Sequence, residues 1–551
     1  MSRKKWKKQR RGRVLLAAIT LMTMAVTACG SGSDSGVDAN KEPQPTPNNL
    51  EEGEVAVPKS PYTNPMVGNS ETGEYTYGGD PSVLVDGDTV YLYTGHDIST
   101  DSEAARAVYN IPEYLCYSTT DMVNWKAEGS VMKADKATIS WANTSTSAWA
   151  SQVTKYKDKY YLYFCTWDMG ASGGKQSIGV AVADSPTGPF KDIGKSLVNG
   201  DLTEPQSNNW NDIDPTVWVD TDDKGNEHRY LAWGNSKFYI CELNEDMISI
   251  KDINGDGEIT CGSSSSGADI LNNQMGLGSF TEAPWLYRRK DSEGKTYGDY
   301  YLFYAYGWRE RMAYSTTADP MKGGWKLGKV LMEPTATSNT NHMAVFDFKG
   351  KTYFVYHNGS LPAGNGYRRS ACITELTFHE DGSVEPMLET ASGPNGTTAV
   401  IKTSDGKVIS HPNYINSGVD TPYPYNEENA KKDVQIGVEL SKTEADGQWV
   451  ITGGKADYSK DAYVSIQAEN KPGLYWTVNK DGTITMAQDY DTQKMKSTAK
   501  KQTFHTVKAL NGGEGVSFES VSEPGKYVTV QKDKLILSDG KDKEAATFLV
   551  E

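Results

Sequence analysis

Short apolar strands, paired around polar turns, recur along the first two-thirds of this chain. In the clearest pair an apolar strand begins near residue 80, turns at charged residues and glycine, and returns as an aromatic strand ending at residue 93. Four altered copies follow at intervals of roughly 60 to 70 residues, and strand repeats on this scale are typical of propellers. The five copies open at Asp80, Trp149, Asp214, Glu282 and His342. The pattern predicts an all-β chain with a five-bladed β-propeller over residues 59–393.

A third strand closes each repeat, so the blades are predicted to have at least three strands, with a fourth expected. These closing strands begin near Leu115, Ile178, Phe238, Met312 and Ser370. No long amphipathic helix is predicted between residues 58 and 393.

The first strand of a blade lines the central channel, so the five opening residues are expected to converge at one end of it. Three of them are acids, namely Asp80, Asp214 and Glu282. A purely structural propeller has no reason to bear the desolvation cost of three acids that face one another. The convergence therefore predicts a functional site.

A different repeat follows residue 393. A connector over residues 394–432 leads to a segment in which residues 464–475 align with residues 516–527. A degenerate third copy near residues 438–452 completes a predicted β-trefoil-like domain over residues 433–551. The sequence leaves two interpretations of this domain open, a carbohydrate-binding module or a structural appendage.

The amino-terminal segment has the pattern of a bacterial lipoprotein signal. A basic stretch precedes an apolar run over residues 14–26, which is too short to span a bilayer as a mature helix. The sequence around Cys29 resembles a lipobox, in which the cysteine is acylated. We therefore expect a signal peptide over residues 1–28, a flexible linker over residues 29–58, and a lipid-anchored protein at the extracellular face of a bacterial membrane.

Composition narrows the range of partners. The 551 residues include 10% aromatics and 53 glycines, which suits a turn-rich all-β protein. The net charge of −16 argues against nucleic acid, whose affinity comes mainly from Lys and Arg on phosphates. A neutral plant cell-wall polysaccharide or oligosaccharide fits better, and membrane contact is expected only through the lipid anchor. The oligomeric state is left open.

Two local features have alternative interpretations. Cys241 and Cys261 flank one insertion and are able to pair, although five scattered cysteines do not make a disulfide scaffold. Residues 252–259 copy the first half of an EF-hand loop, but Ser263 stands where the bidentate Glu belongs. The segment is either a calcium loop or a pair of glycine turns.

Three carboxyl groups in one pocket cannot all ionise at their ordinary pKa values, and the resulting split provides a general acid and a general base. Trp149 and Trp308 are predicted to stack on sugar faces. Together these features favour glycoside hydrolysis. No motif for a serine or cysteine nucleophile and no phosphate-binding loop is present.

The openings of the repeats resemble glycoside hydrolase family 43 over roughly residues 60 to 390. The matching motifs are Gly79-Asp80-Pro81, the run that ends at Asp97, Trp149-Ala150, Asp214-Pro215, Glu282-Ala283-Pro284, His342 and Tyr367-Arg-Arg369. The resemblance implies an inverting enzyme with Asp80 as base, Glu282 as acid and Asp214 as modulator of the acid's pKa. It also implies that Asp97 and Arg369 bind substrate and that His342 supports a calcium ion through water.

The carboxyl-terminal domain is similar to carbohydrate-binding module family 42 around Ser517 and Ala546, but the Arg-His pair that usually follows the aromatic residue is absent after Tyr527. Its sugar binding is therefore left open. The combined prediction is an exo-acting α-L-arabinofuranosidase on arabinoxylan or arabinan. The alternatives are a β-xylosidase of the same family and an inactive surface glycan-binding lipoprotein.

Overall fold

Five sheets follow one another along the computed structural model of the protein, all antiparallel except for one parallel strand pair in the third. The structure describes residues 50–69, 75–170, 174–203, 205–222, 224–263, 266–272, 275–335, 338, 340–412, 434–488 and 495–551. The chain divides into units at residues 1–48 and 49–551, and all described residues belong to the second unit. Cys29 and the predicted signal peptide lie outside the described residues.

The five sheets are the blades of the propeller. Blade 1 contains β1 (Gly78–Asp86), β2 (Thr89–His96), β3 (Glu113–Thr119) and β4 (Lys126–Lys133). Blade 2 contains β5 (Ser151–Tyr156), β6 (Lys159–Trp167), β7 (Gln176–Ala183) and β8 (Lys191–Asp192). Blade 3 contains β9 (Thr216–Thr221), β10 (Glu227–Trp233), β11 (Tyr239–Glu242), β12 (Cys261–Gly262) and β13 (Ile270–Asn272). Blade 4 contains β14 (Phe280–Lys290), β15 (Thr296–Tyr306), β16 (Arg311–Thr317) and β17 (Lys326–Met332), and blade 5 contains β18 (Ala344–Phe348), β19 (Lys351–Asn358) and β20 (Ser370–Glu375).

The prediction of five blades is confirmed, and the burial pattern explains why the repeats could be recognised in the sequence. The second strand of each blade is buried on both faces, so it is a continuous apolar or aromatic run rather than an alternating one. In β6, for example, every residue from Tyr160 to Thr166 is buried. Such strands form the cores between neighbouring blades.

The carboxyl-terminal domain contains a closed ring of six strands. Its strands are β21 (Ala399–Thr403), β22 (Ile409–Ser410), β23 (Val434–Gln435), β24 (Gly437–Val438), β25 (Gln448–Gly453), β26 (Tyr463–Ala468), β27 (Tyr475–Val478), β28 (Ile484–Ala487), β29 (Phe504–Lys508), β30 (Val516–Ser520), β31 (Tyr527–Gln531), β32 (Lys534–Ser538) and β33 (Phe548–Val550). The ring runs β21, β25, β26, β29, β30, β33 and back to β21. Three further antiparallel pairs, β22–β24, β27–β28 and β31–β32, add to the ring, which gives the predicted trefoil.

Two predicted boundaries differ from the structure. β21 and β22 lie inside the predicted connector, yet β21 closes the ring by pairing with β25 and β33. The predicted linker through residue 58 is also too long, because the backbone N–H of Val55 donates to the carbonyl of Thr506 and Val57 is buried in the core of the trefoil. Residues 50–57 therefore pack against the carboxyl-terminal domain.

In the part of the chain that the structure describes, the helices are α1 (Asp101–Ala104), α2 (Met495–Lys501) and a 3₁₀ turn (Glu444–Gly447). No helix among the described residues is long and apolar enough to cross a membrane.

The structure answers one of the two open local features. The five described cysteines are free thiols, so Cys241 and Cys261 do not pair. The Asp252 carboxylate accepts backbone N–H groups of Gly255 and Gly257, both of which have positive φ. Glycine turns are therefore present in the EF-hand-like segment, and a calcium ion there stays a prediction.

Candidate active site

Three blade-opening strands carry a residue in the left-handed conformation immediately before a proline. Asp80, Asp214 and Ala283 have φ values of 52°, 61° and 55°. The pairing registers of β1 and β14 shift at these positions, as they do at a β-bulge. Bulges next to functional sites re-aim side chains, and Asp tolerates the left-handed region better than most residues. The local backbone therefore turns the acids toward the end of the channel.

Glu282 is offset by one residue from the other two acids. Asp80 and Asp214 are themselves the left-handed residues before a proline, whereas Glu282 precedes the left-handed Ala283. The expectation that all five opening residues share one place in their blades is therefore wrong for Glu282. The three acids nevertheless line the same cavity.

This cavity has a volume of about 500 Å³, within the range of small-molecule sites. Its wall includes the three acids, the Arg369 side chain and the aromatic residues Tyr109, Trp149, Trp167 and Trp210. Trp149 packs edge-on against both Tyr109 and Trp167. Trp210, which the sequence analysis missed, is 44% exposed. Acids below an aromatic wall suit a ligand with polar edges and apolar faces, such as a sugar ring.

Arg369 holds Asp80 in the charged form. Its Nη1 donates to Oδ1 of Asp80 at 2.6 Å. Burial is the largest single effect and would raise the pKa of Asp80, but the opposing effects, led by the guanidinium charge of Arg369, together outweigh burial and lower that pKa below its usual value. Asp80 is therefore a carboxylate at neutral pH.

Asp97 fixes the guanidinium from the side opposite the pocket. Its Oδ2 accepts from Nε of Arg369 at 2.8 Å and its Oδ1 accepts from Nη2 at 3.0 Å. Gly79 allows this packing, because a Cβ there would stand 2.2 Å from Cζ of Arg369. Asp97 is completely buried and does not line the pocket. The structure thus corrects its predicted substrate contact: Asp97 positions Arg369 instead.

His357 is a second support for Asp80 that the sequence analysis missed. The backbone N–H of Asp80 donates to Nδ1 of His357 at 3.1 Å, and Nε2 lies 2.8 Å from the carbonyl of Thr340. Burial lowers the pKa of His357 to about 3, so the ring is neutral with its proton on Nε2. The available sequence signal was a histidine at the end of an otherwise apolar strand, β19.

Asp214 contacts the backbone beside Glu282. Its Oδ2 accepts the N–H of Ala283 at 2.9 Å, while Oε2 of Glu282 accepts from Nδ2 of Asn235 at 2.5 Å. Burial raises the pKa of Asp214 well above its usual range, and the charges of Glu282 and Asp80 raise it further. Burial is also the largest cause of the raised pKa of Glu282, opposed by the Asn235 hydrogen bond.

A fourth acid, Glu310, lies behind Glu282 and was not predicted. It is 1% exposed, and its Oε2 accepts the backbone N–H of Asn341 at 2.7 Å. Burial first, and then the charge of Glu282, raise the pKa of Glu310 well above its usual range. Glu310 lies in the turn between β15 and β16, so a search of blade-opening strands could not find it.

The site therefore separates its acids by protonation state. Asp80 is held ionised beside a cation, whereas Asp214, Glu282 and Glu310 are buried with raised pKa values. One ionised and one protonated carboxyl group in the same pocket can accept and donate a proton in one reaction.

Two other predicted site residues take different places. Trp308 is 71% exposed in the turn between β15 and β16 and does not line the cavity, so its predicted stacking contact is not supported. His342 is buried, and burial lowers its pKa to about 4, which leaves a neutral imidazole near Asp80.

The calcium ion implied for His342 finds no direct ligand set. Among the residues that the structure describes, no three His, Cys, Asp or Glu side chains are grouped to hold a metal ion. The Arg369 guanidinium near His342 also repels a cation. We assign no step to a metal, and a water-mediated calcium ion stays a prediction.

Comparison with known protein families identifies the class of this site. The model of glycosyl hydrolases family 43 matches residues 73–384, more than half of the chain, and the chain belongs to that family. The model of the alpha-L-arabinofuranosidase B (ABFB) domain matches residues 418–550. The resemblance predicted from the blade openings is confirmed.

Individual relatives are more distant. An arabinoxylan arabinofuranohydrolase of Paenibacillus polymyxa is 28% identical over 58% of this chain. This chain matches only about half (51%) of that relative's length. A xylosidase/arabinosidase of Bacteroides ovatus is 27% identical over 56% of this chain and 94% of its own. A solved structure of a family 43 β-xylosidase/α-arabinofuranosidase from a compost metagenome, in a calcium-free form with xylotriose, is also similar. Its sequence is 27% identical, and the TM-score is 0.45. The match covers 60% of this chain and 98% of that structure's chain.

Proposed function

We propose that this chain is an inverting, exo-acting glycosidase that removes α-L-arabinofuranosyl residues from arabinoxylan or arabinan. The observation that carries the proposal is that Asp80, which Arg369 hydrogen-bonds, and Glu282 line one aromatic-walled cavity with pKa values shifted in opposite directions. Membership of family 43 supports a glycosidase. The ABFB-domain match and the named relatives support arabinose.

The reaction needs one proton accepted and one donated. Asp80 takes a proton from water as the water oxygen attacks the anomeric carbon. Glu282 gives its proton to the leaving oxygen as the glycosidic bond breaks. The attack comes from the face opposite the leaving group, so the first product has inverted configuration. Solvent then returns a proton to Glu282 and takes one from Asp80.

A β-xylosidase is the second candidate, favoured by the relative named as a xylosidase/arabinosidase, which the match covers almost completely. Both activities need the same acid and base. They differ in the sugar that the pocket accepts, so the released sugar distinguishes them.

The test is to incubate the full chain with arabinoxylan, arabinan and xylo-oligosaccharides and to identify each released sugar. We expect arabinose from the first two substrates and no xylose from the third. The Asp80→Asn protein, purified in the same way, controls for contaminating enzymes. Release of xylose alone would establish the β-xylosidase, and wild-type release no greater than that of the control would establish the glycan-binding lipoprotein.

We also propose that the protein is held by lipid on Cys29 at the extracellular face of a bacterial membrane. The basic stretch, the short apolar run and the cysteine that follows it support this proposal. Because residues 50–57 lie on the carboxyl-terminal domain, the predicted tether joins the protein there rather than at the propeller.

Replacing Cys29 with Ala should move the protein from the membrane fraction to the soluble fraction and leave its specific activity unchanged. The reason is that acylation needs the thiol, whereas the catalytic site lies in the propeller. Quantitative blotting of both fractions, with Cys261→Ala as the matched control, measures the effect. A Cys29→Ala protein that stays in the membrane fraction would contradict the anchor.

A further inference from the structure

Residues 359–368 form a loop between two residues that hold Asp80. His357, near the end of β19, accepts the backbone N–H of Asp80 at 3.1 Å. Arg369, just before β20, donates to the Asp80 carboxylate at 2.6 Å. The shape of the 359–368 loop therefore decides whether both of these supports are in place.

A side chain of the carboxyl-terminal domain reaches into this loop. Gln488 follows β28, and its Nε2 donates to the carbonyl of Gly359 at 2.7 Å and to that of Gly364 at 3.2 Å. The carbonyl of Leu361 lies 3.5 Å from the same nitrogen. Gln488 is 3% exposed, and residues 359–364 are all buried. Buried carbonyls need a donor, and here a different domain supplies it.

The same domain contacts the loop at a second point. Gly473, in the turn between β26 and β27, packs against Ser360. A Cβ on Gly473 would stand 2.6 Å from the Ser360 carbonyl oxygen and 2.9 Å from its Cβ. The positive φ of Gly473, 82°, also favours glycine. Backbone lies against backbone here, so the loop has no room to shift toward the carboxyl-terminal domain.

Blade 1 holds the other end of the loop. Arg368 donates from Nη1 to the carbonyl of Ser99 at 2.9 Å and from Nη2 to Asp101 at 2.8 Å. Among the residues that the structure describes, however, the carbonyls of Gly359 and Gly364 accept from Gln488 alone. Blade 1 therefore does not replace the support that Gln488 gives.

We propose that Gln488 is a positioning residue for the active site: it holds the 359–368 loop in shape and thereby keeps Arg369 and His357 against Asp80. Gln488 does not line the cavity, so it acts through the loop and not on substrate. The carboxyl-terminal domain is then part of what builds the active site, whether or not it binds sugar. The expected effects on rate rest on the proposed glycosidase reaction, whereas the support of the loop does not.

The first test removes the donor and keeps the length of the side chain. We expect Gln488→Met to lower kcat/KM by about 5- to 50-fold, because two buried carbonyls lose their donor and the loop moves to regain hydrogen bonds. Thr506→Val is the matched control. Thr506 is a buried donor to the carbonyls of Val55 and Ala462, both outside the propeller. It should lower the melting temperature and leave kcat/KM unchanged.

A second pair of variants tests the contact without removing a hydrogen bond to the loop. Gly473→Ala places a methyl group against Ser360 and should also lower kcat/KM. Gly482→Ala, in the turn between β27 and β28, brings the same backbone strain, because its φ is 81°. Its added Cβ would meet no atom nearer than 4.0 Å apart from its chain neighbours. We expect this control to lose stability and to keep the wild-type kcat/KM.

The rise of kcat/KM at low pH gives a readout that a loss of stability alone would not move. The charge of Arg369 leads the effects that lower the pKa of Asp80, so a displaced Arg369 lets that pKa rise. The rise of kcat/KM should then begin at a higher pH in Gln488→Met, and at the wild-type pH in Thr506→Val. The other titratable groups around Asp80 are Asp97, Asp214, Glu282, His342 and His357.

Hydrogen exchange measured by mass spectrometry needs no activity. Peptides that span the 359–368 loop should exchange faster in Gln488→Met and Gly473→Ala than in the wild type and in both controls. Unchanged exchange in this loop would overturn the support by Gln488. Faster exchange with a wild-type rate and pH profile would overturn its effect on Arg369. If the wild type cleaves no glycoside, the proposed function fails, and the exchange comparison still decides whether Gln488 holds the loop.

Discussion

Replacing Asp80 with Asn should lower kcat/KM by about 10²–10⁴ on every substrate, whether the leaving group is a sugar or an acidic phenol. Water must lose a proton as it attacks in either case, and Asn cannot accept that proton. The substitution is nearly isosteric, and its carbonyl oxygen can still accept from Nη1 of Arg369. The effect should therefore fall on the rate and not on folding.

The measurement for Asp80 compares the two rate losses with those of a matched variant. Asp86 lies at the opposite end of the same strand, β1, where its carboxylate binds Lys155 and Tyr160. Asp86→Asn should keep the wild-type rate. An Asp80→Asn enzyme that loses activity on polysaccharide but keeps it on the aryl substrate would mean that Asp80 is the acid.

The rise of kcat/KM at low pH reports on the same residue. Because Arg369 lowers the pKa of Asp80, the base is available above an unusually low pH. The raised pKa of Glu282 keeps the acid protonated to an unusually high pH. We expect the profile to be broad for this reason.

The blades could be predicted because strands that are buried on both faces consist of consecutive apolar or aromatic residues. Second strands such as β6 and β15 are buried on both faces, so they read as aromatic runs. Fourth strands are harder to see, because β4 and β17 are mostly exposed and lack an apolar pattern. The start of the trefoil was missed because β21 pairs with β33, which lies at the other end of the domain.

The site was predictable only where it follows the repeat. Asp80, Asp214 and Glu282 stand in the openings of blades, so aligning the copies brings them together. Glu310 lies in a turn of blade 4 outside the repeated opening, and His357 lies in blade 5, where only the closure of the propeller brings it to Asp80 of blade 1. Asp97 was predicted to contact substrate, but it is buried behind Arg369. Sequence alone cannot distinguish a residue that lines the pocket from one buried behind it.

Replacing Glu282 with Gln should affect the two kinds of substrate very differently. Gln cannot give a proton to the leaving oxygen, so turnover of arabinoxylan or arabinan should fall by about 10²–10⁴. An aryl pentoside with an acidic phenol needs little protonation, so much of its rate should remain. Folding should be kept, since Gln can still accept from Asn235. Glu293→Gln, in the exposed turn between β14 and β15, is the control.

The pH profile supplies an independent check on Glu282. In the wild type, kcat/KM on the polysaccharide should fall at high pH as Glu282 loses its proton. In Glu282→Gln, the residual rate on the aryl substrate should show no such fall, because no acid remains to be ionised. The anomer first released by the wild type, followed by NMR, should be inverted. Equal losses on both substrates would move the acid away from Glu282, and a retained first product would exclude direct attack by water activated by Asp80.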